Sequence, residues 1–422
     1  MIMLIVFVVG AVVGILVFSG LIPLGQTKNV SVGSVVLWGT IPRSLLADSL
    51  DKFSAENQTF TLKYVEKNPA SFDKELLEAL AKGEGPDMFI LPDNLIFHYK
   101  DKILTIPYVS YPVATFRNDF AGIGEMYLNS KGVLALPLAI DPMIMYYNRS
   151  MFDANSITNP PATWSDVQTL APILTKKDPA GKILKSGIGL GQFSNIDNAK
   201  DIISTMFMQA GSPIVTLKDD IASVDLNSNS TSIDLGSILS FYTSFADPLN
   251  PMYSWNKSLP KSQDNFGTDN LGIYFGYASE LSTLTTKNPN LNFYIAPMPQ
   301  IKNSNFALTF GHSYAIAISS ATKNPTTAYT ATGLLASGEF AQKFSNALLI
   351  APARRSWLAV KPTDAYFPIV YNSALYARSW LDPSPLDTNG IFQRMVENVL
   401  SNNMSASDAV SDASSKLGLL LQ

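Results

Sequence analysis

Residues 35–57 read VVLWGTIPRSLLADSLDKFSAEN, residues 62–67 LKYVEK, and residues 76–94 LLEALAKGEGPDMFILPDN. The apolar run 35–38, bounded by Gly33 and Gly39, suits a buried strand, and Leu45, Leu46, Leu50 and Phe53 then recur at helical spacing. A second strand follows at 61–65. After it comes a helix with Phe72, Leu76, Leu77 and Leu80 on one face and Gly83 as its stop. A third strand, 88–91, comes directly after Gly85-Pro86-Asp87. Strand, helix, strand, helix, strand is the order of a parallel sheet covered by helices. Ligands bind such sheets beyond the carboxyl ends of the strands, where Trp38-Gly39-Thr40 and Pro92-Asp93-Asn94 stand.

Working outward, 133–140 and 143–147 read as strands, and Thr163 caps a helix whose third position is Asp166, a capping-box start. From 187 to 420 helices are expected to dominate, with turn-rich gaps at 225–232, 247–271 and 286–305. Ile391, Met395 and Val399, then Ala409, Leu417 and Leu420, mark two amphipathic helices at the end of the chain. These are expected to pack on a domain rather than in a membrane.

A chain of 422 residues is long enough for two or three domains. With 46% hydrophobic and 15% charged residues, long-range disorder and a strongly basic nucleic-acid surface are both disfavoured. Thirty basic against 34 acidic side chains leave a net charge of −4, so no polyanionic partner is expected. The absence of Cys excludes a disulfide framework, a thiolate metal site, a Cys nucleophile and a lipid-modified N-terminal Cys.

Met1 to Gly25 carries no charged side chain. As a helix, residues 2–24 would span about 34 Å, against roughly 30 Å for the hydrocarbon core of a bilayer. The segment lacks the basic start and the clean cleavage site of a secretory signal, so an uncleaved single-pass anchor over residues 1–25 is expected. The alternative is a long signal peptide cut after a small residue such as Ser19. Residues 26–34 are polar and read as a tether.

Catalytic signatures are weak. Gly311-His312-Ser313 looks like a degenerate nucleophile elbow, but no His follows Ser313, as that fold's order requires. His98 and His312 are the only histidines, and with no Cys they make a transition-metal site improbable; neither metal nor cofactor is expected. Gly187-Ile188-Gly189-Leu190-Gly191 has the wrong spacing for a dinucleotide fingerprint. Seventeen Tyr and five Trp are the better lead, since flat apolar faces with polar edges suit a sugar ring, although most such residues serve a core. Trp164, directly behind its cap, is read as a packing residue.

The segments quoted at the outset resemble the first lobe of the family 1 extracellular solute-binding proteins of ABC importers. VLALPLAIDPMIMYYNRSMFDANSITNPPATWSDV, residues 133–167, resembles that family's crossing segment, with its acidic residue, Tyr-Asn pair and Pro-Pro-x-Thr-Trp. IYFGYASEL with IAPMPQ, FGHSYAIAISSATKNPTTAY, LLIAPARRSW and the tail SASDAVSDASSKL continue the match in order. The resemblance implies an α/β, two-lobed periplasmic-binding-protein-like fold with a ligand cleft between lobes that close on the ligand, here preceded by an N-terminal transmembrane helix. Expected boundaries are 35–140 for the first part of lobe I, 141–296 for the first part of lobe II, 297–337 for a return to lobe I, and 338–422 for C-terminal helices mostly in lobe II.

Residue by residue, the resemblance implies that Asp141 accepts sugar hydroxyls beside the first crossover, and that Trp38, Asp93 and Asn94 line the first lobe. Gln192 and Asn195 follow the GIGLG strand of the second lobe, where relatives contact ligand. Tyr277 corresponds to a sugar-stacking aromatic, with Glu280 near it. His312 and Ser313 lie where the chain returns to the first lobe, and Arg354 and Trp380 lie in late segments that approach the cleft in relatives. His312 stands where a second Gly is common, a departure from the family pattern. The function implied is capture of a sugar or oligosaccharide outside the cytoplasm and delivery to the permease subunits of an ABC importer, without catalysis. A surface sensor ectodomain or a carbohydrate-active enzyme on the same fold is the alternative.

Overall fold

The computed structural model describes residues 33–226, 233–304 and 306–422. The expected anchor and most of the tether lie outside these residues. Among the described residues no helix is long and apolar enough to cross a membrane. The chain divides into two compact units: one holds the residues up to Ile140 and Ser313–Val360, the other Asp141–His312 and Lys361–Gln422. The return expected at 297 thus comes at Ser313, and 338–360 joins the first unit. Residues 297–312 stay with the second unit because Gln209 Nε2 donates to the carbonyls of Pro299 and Leu308, at 3.0 and 2.8 Å.

In the first unit, Ser34–Gly39 pairs in parallel with Thr61–Glu66 on one side and Met88–Pro92 on the other. Leaving the central strand first to one side and then to the other creates a topological switch point at the carboxyl ends of Ser34–Gly39 and Met88–Pro92. The helix Phe72–Lys82 between the outer two strands ends on Gly83 in the left-handed conformation, as its sequence requires. Returning chain from Tyr314 to Ile318 runs antiparallel to Met88–Pro92. Asp87 fixes the entry to that edge by accepting from Val36 N and Thr322 Oγ1, at 2.9 and 2.5 Å.

The strand 135–148 is continuous through Asp141-Pro142, where two separate strands were expected. All of its residues are buried, so nothing in its pattern marks the passage from one unit to the other. In the second unit, Leu271–Tyr277 and Phe293–Pro297 pair antiparallel with its later part, and Ile183–Ile188 lies parallel to Leu271–Tyr277. Beyond 187 helices dominate the described residues, as expected, with strands set among them. Ile214–Lys218 and Ile221–Asp225 form a hairpin, and Leu271–Tyr277, Phe293–Pro297 and Thr309–Ile318 are strands. The gap 247–271 contains the helix Ser262–Gly267. Strands buried on both faces lack the alternation that announces a half-exposed one, which is why LGIYFGY carries little strand signal.

Thr163 and Asp166 form the expected capping box at the start of Trp164–Leu174, and Trp164 is buried with Nε1 donating to Gln209 Oε1 at 2.7 Å. The terminal helices Pro385–Leu400 and Ala406–Leu420 bury Ile391, Met395, Ala409 and Leu417.

Candidate functional site

In the first unit, Trp38 and Asp93 stand at the two strand ends that make the switch point. Asp93 is 2% exposed, and its Oδ1 accepts from the backbone N–H of Ser313 at 3.1 Å, tying the returning strand to the strand end. The Ser313 hydroxyl is fully buried and donates to the carbonyl of Ala139 at 3.4 Å, so both residues stabilise the fold here. Trp38 is half-buried, with the Lys67 ammonium 3.7 Å from its ring centroid. Asn94 differs from these: its Oδ1 is buried and has no hydrogen-bond partner in the protein.

In the second unit the loop after Ile183–Ile188 is set by Gly191. Its φ is +98°, and a Cβ there would lie 2.5 Å from the backbone nitrogen of Ala246. The glycine cluster therefore serves close packing. It delivers Gln192, 7% exposed, whose Oε1 is buried without a partner while its backbone carbonyl accepts from the Tyr242 hydroxyl at 2.7 Å. A buried polar atom without a partner costs about 1–3 kcal/mol, so Asn94 and Gln192 each carry a cost that a donor from a ligand would remove.

Tyr277, at the end of its strand, donates its hydroxyl to Asp201 Oδ2 at 2.7 Å and lays its ring on the His312 imidazole, with centroids 4.8 Å apart and planes at 32°. Asp141, 4% exposed, accepts from Ser279 N at 3.0 Å. Burial pushes its pKa up to about 6, opposed by hydrogen bonds from Ser279 and by the field of His312, and assisted by the nearby Glu280. Glu280 gathers four donors. Oε1 accepts from Tyr277 N at 3.1 Å and Asn198 Nδ2 at 2.8 Å, while Oε2 accepts from Gln263 Nε2 at 2.7 Å and from the Tyr274 hydroxyl. Burial and this carboxylate keep the Tyr274 phenol protonated. Four of the expected residues, Asp141, Tyr277, Glu280 and His312, are therefore brought together in one polar cluster.

Beside the cluster lies an open cavity of about 420 Å³, lined among others by Asp197, Asn198, Lys200, Asp201, Lys261 and Gln393. None of these six was expected from the sequence, and Asp201 and Asn198 join the cavity to the cluster through Tyr277 and Glu280. Lys200, half-buried, forms an ion pair with the buried Asp382 at 2.6 Å, and Thr388 donates to the same carboxylate.

Three expected contacts have their polar atoms committed inside the protein. Asn195 donates to the carbonyls of Asn256 and Leu259 and accepts from Trp255 Nε1, bracing the loop. Arg354 pairs with Asp119 at 3.3 Å, donates to the carbonyl of Ala336 and lies over the Phe120 ring. Trp380 donates to Ser204 Oγ at 3.2 Å and stacks on Phe392 in the core. The family resemblance recommended all three, and sequence does not disclose that a partner is already present.

Comparison with known proteins places this geometry in context. The family model for bacterial extracellular solute-binding proteins matches residues 39–349. A cyclic α-maltosyl-1,6-maltose-binding protein from Arthrobacter globiformis aligns over 92% of this chain and 98% of its own, with a TM-score of 0.75 and 15% identity. A cyclo/maltodextrin-binding protein complexed with maltotetraose aligns over 95% and 99%, with a TM-score of 0.72 and 15% identity. An ABC transporter solute-binding protein from Thermotoga lettingae, bound to α-D-tagatose, aligns over 92% and 100%, with a TM-score of 0.66 and 18% identity.

Proposed function

Because the chain belongs to the bacterial extracellular solute-binding protein family, we propose that it captures a sugar or oligosaccharide outside the cytoplasm and delivers it to the permease subunits of an ABC importer. It acts by binding, and the ligand leaves unchanged. The observation that carries the reading is the pair of buried amide oxygens, Asn94 Oδ1 and Gln192 Oε1, that have no partner in the protein. Carbohydrate hydroxyls are neutral donors that satisfy such atoms without introducing a charge.

Further support comes from the chemistry of the cavity in the second unit. The cavity lining mixes amides with cationic and anionic groups in near balance, and Lys200 and Lys261 are matched by Asp382 and Asp197. Tyr277 and His312 supply aromatic surface at the cluster. Solved proteins of this fold hold maltotetraose and α-D-tagatose. In this reading Asp141 and Gln192 accept ligand hydroxyls in the second unit, and Asn94 does so in the first, beside Trp38.

Residues 2–24 tether the protein to the cell membrane with the rest of the chain outside, since capture requires access to external solute. The direct test of function is a thermal-shift screen against mono- and oligosaccharides, polyols, glycerol phosphates, amino acids and short peptides. A ligand that binds only the native state raises the melting temperature, by about 2.7 kcal/mol of added stability at a hundredfold excess over its Kd. The proposal requires the hits to be carbohydrates, and a hit confined to amino acids or peptides would overturn it.

A further inference from the structure

The helix Arg43–Glu56 turns Leu46, Leu50 and Phe53 inward, and all three are buried. Ser49 belongs to the same stripe, standing three residues before Lys52, four before Phe53 and seven before Glu56, the spacing of one helix face. It is only 6% exposed, yet no described residue is hydrogen-bonded to its hydroxyl. A small polar side chain thus stands where an apolar one would close the gap to the neighbouring helices. That gap is a cavity of about 190 Å³, walled on its far side by the end of the helix Pro325–Ser337 and the start of the helix Glu339–Ala347. All of it lies within the first unit. Arg43–Glu56 leaves the carboxyl end of Ser34–Gly39 and returns the chain to the start of the parallel strand Thr61–Glu66. Its second half therefore lies toward the amino ends of the strands, opposite the switch point where Trp38 and Asn94 stand.

The lining decides what fits. Apolar surface comes from Phe53 and Phe340, which meet edge to face with centroids 6.1 Å apart. The rim is charged but balanced: Lys52 is hydrogen-bonded to Glu339 and lies 3.8 Å from Glu56, and Lys343 lies 3.5 Å from Glu339. Two ammonium groups against two carboxylates leave no net charge, so neither an anion nor a cation is favoured. The same four groups offer N–H donors and carboxylate lone pairs, and the Ser49 hydroxyl can both donate and accept. At ~30 Å³ per water molecule the volume equals about six waters, room for one sugar ring but not for two.

We propose that this cavity is a second carbohydrate site, which takes a single neutral monosaccharide ring. The apolar face of the ring lies on the two phenylalanines, and its hydroxyls satisfy Ser49 and the charged rim. The cavity shares no residue with the candidate site described above, and its occupation does not depend on what that site binds.

The experiment is saturation-transfer NMR of the full-length protein with D-glucose, D-mannose and D-galactose, and with acetate and ethylammonium as charged controls. It is run on the unaltered protein, on Gln192→Leu, and on Gln192→Leu carrying Ser49→Leu, whose larger apolar side chain fills the cavity and removes the hydroxyl. The expected result is a saturable signal from at least one sugar in Gln192→Leu that Ser49→Leu abolishes, with both charged controls silent. Should the Ser49→Leu protein not fold, Ser337→Leu on the opposite wall takes its place. A sugar signal in the unaltered protein that is already gone in Gln192→Leu overturns this inference and leaves the carbohydrate reading of the candidate site standing. So does a sugar signal that survives filling of the cavity. Acetate or ethylammonium binding that is lost when the cavity is filled overturns the assignment to a neutral sugar.

Discussion

The hydroxyl of Tyr277 donates to Asp201 at 2.7 Å, joining the end of the strand Leu271–Tyr277 to the first turn of the helix Ala199–Gln209. Asp201 lines the cavity and Tyr277 packs on His312, so this one bond connects the cavity to the aromatic pair. Tyr277→Phe keeps the ring and removes the bond. Stability is expected to fall by about 1–2 kcal/mol, read by chemical denaturation, because Asp201 loses a charged hydrogen bond. Sugar affinity is expected to fall less in Tyr277→Phe than in Tyr277→Ala, which also removes the ring face and should weaken binding by about 1–3 kcal/mol.

Gln192 separates a ligand contact from a structural polar group. In Gln192→Leu the unpartnered oxygen disappears, so the ligand-free protein should be as stable as the parent, or more stable by up to about 1–3 kcal/mol. Its ligand-induced thermal shift should shrink sharply. A destabilised variant with the full ligand shift would show that Gln192 serves the fold.

The buried carboxyl of Asp141 gives a pH signature in the absence of ligand. Its pKa in the folded protein, about 6, lies above the ordinary 3.8, so the folded state holds the proton more tightly than the unfolded chain. The corresponding stability is fully present below about pH 3.8 and is lost as pH rises through about 6, a change on the order of 3 kcal/mol. Melting curves from pH 4 to 7 should therefore fall more steeply for the parent protein than for Asp141→Asn, whose amide does not titrate.

Lys200, half-buried, pairs with the buried Asp382, and removing one partner leaves the other without its counter-charge. Asp382→Ala is expected to lose about 3–5 kcal/mol, while the double replacement of Lys200 by Met and Asp382 by Leu should recover most of it. Equilibrium denaturation of the single and double variants measures both.

The amino-terminal strand–helix order was legible because its helices show one-sided apolar spacing and a Gly stop at Gly83, and its strands are short runs between turn residues. The capping box at Thr163 and Asp166 was legible for the same local reason. Strands of the second unit were hidden because both their faces are buried, and the hairpin at 214–225 because it carries few buried apolar residues. At the candidate site, Asn94, Gln192, Asp141 and Tyr277 were brought forward by the family resemblance and their ligand contacts are proposed, while the partners that commit Asn195, Arg354 and Trp380 come from distant segments. Asp201 and Lys200 were missed because an acidic or basic residue early in a helix looks the same whether it faces solvent or a cavity.

The central claim is that the protein binds a carbohydrate and leaves it intact. Its most direct test is to incubate the protein with each sugar that raises its melting temperature, recover the ligand and weigh it by mass spectrometry. The account predicts one unchanged sugar per chain. Conversion of the sugar, or the absence of any sugar that binds, would contradict it.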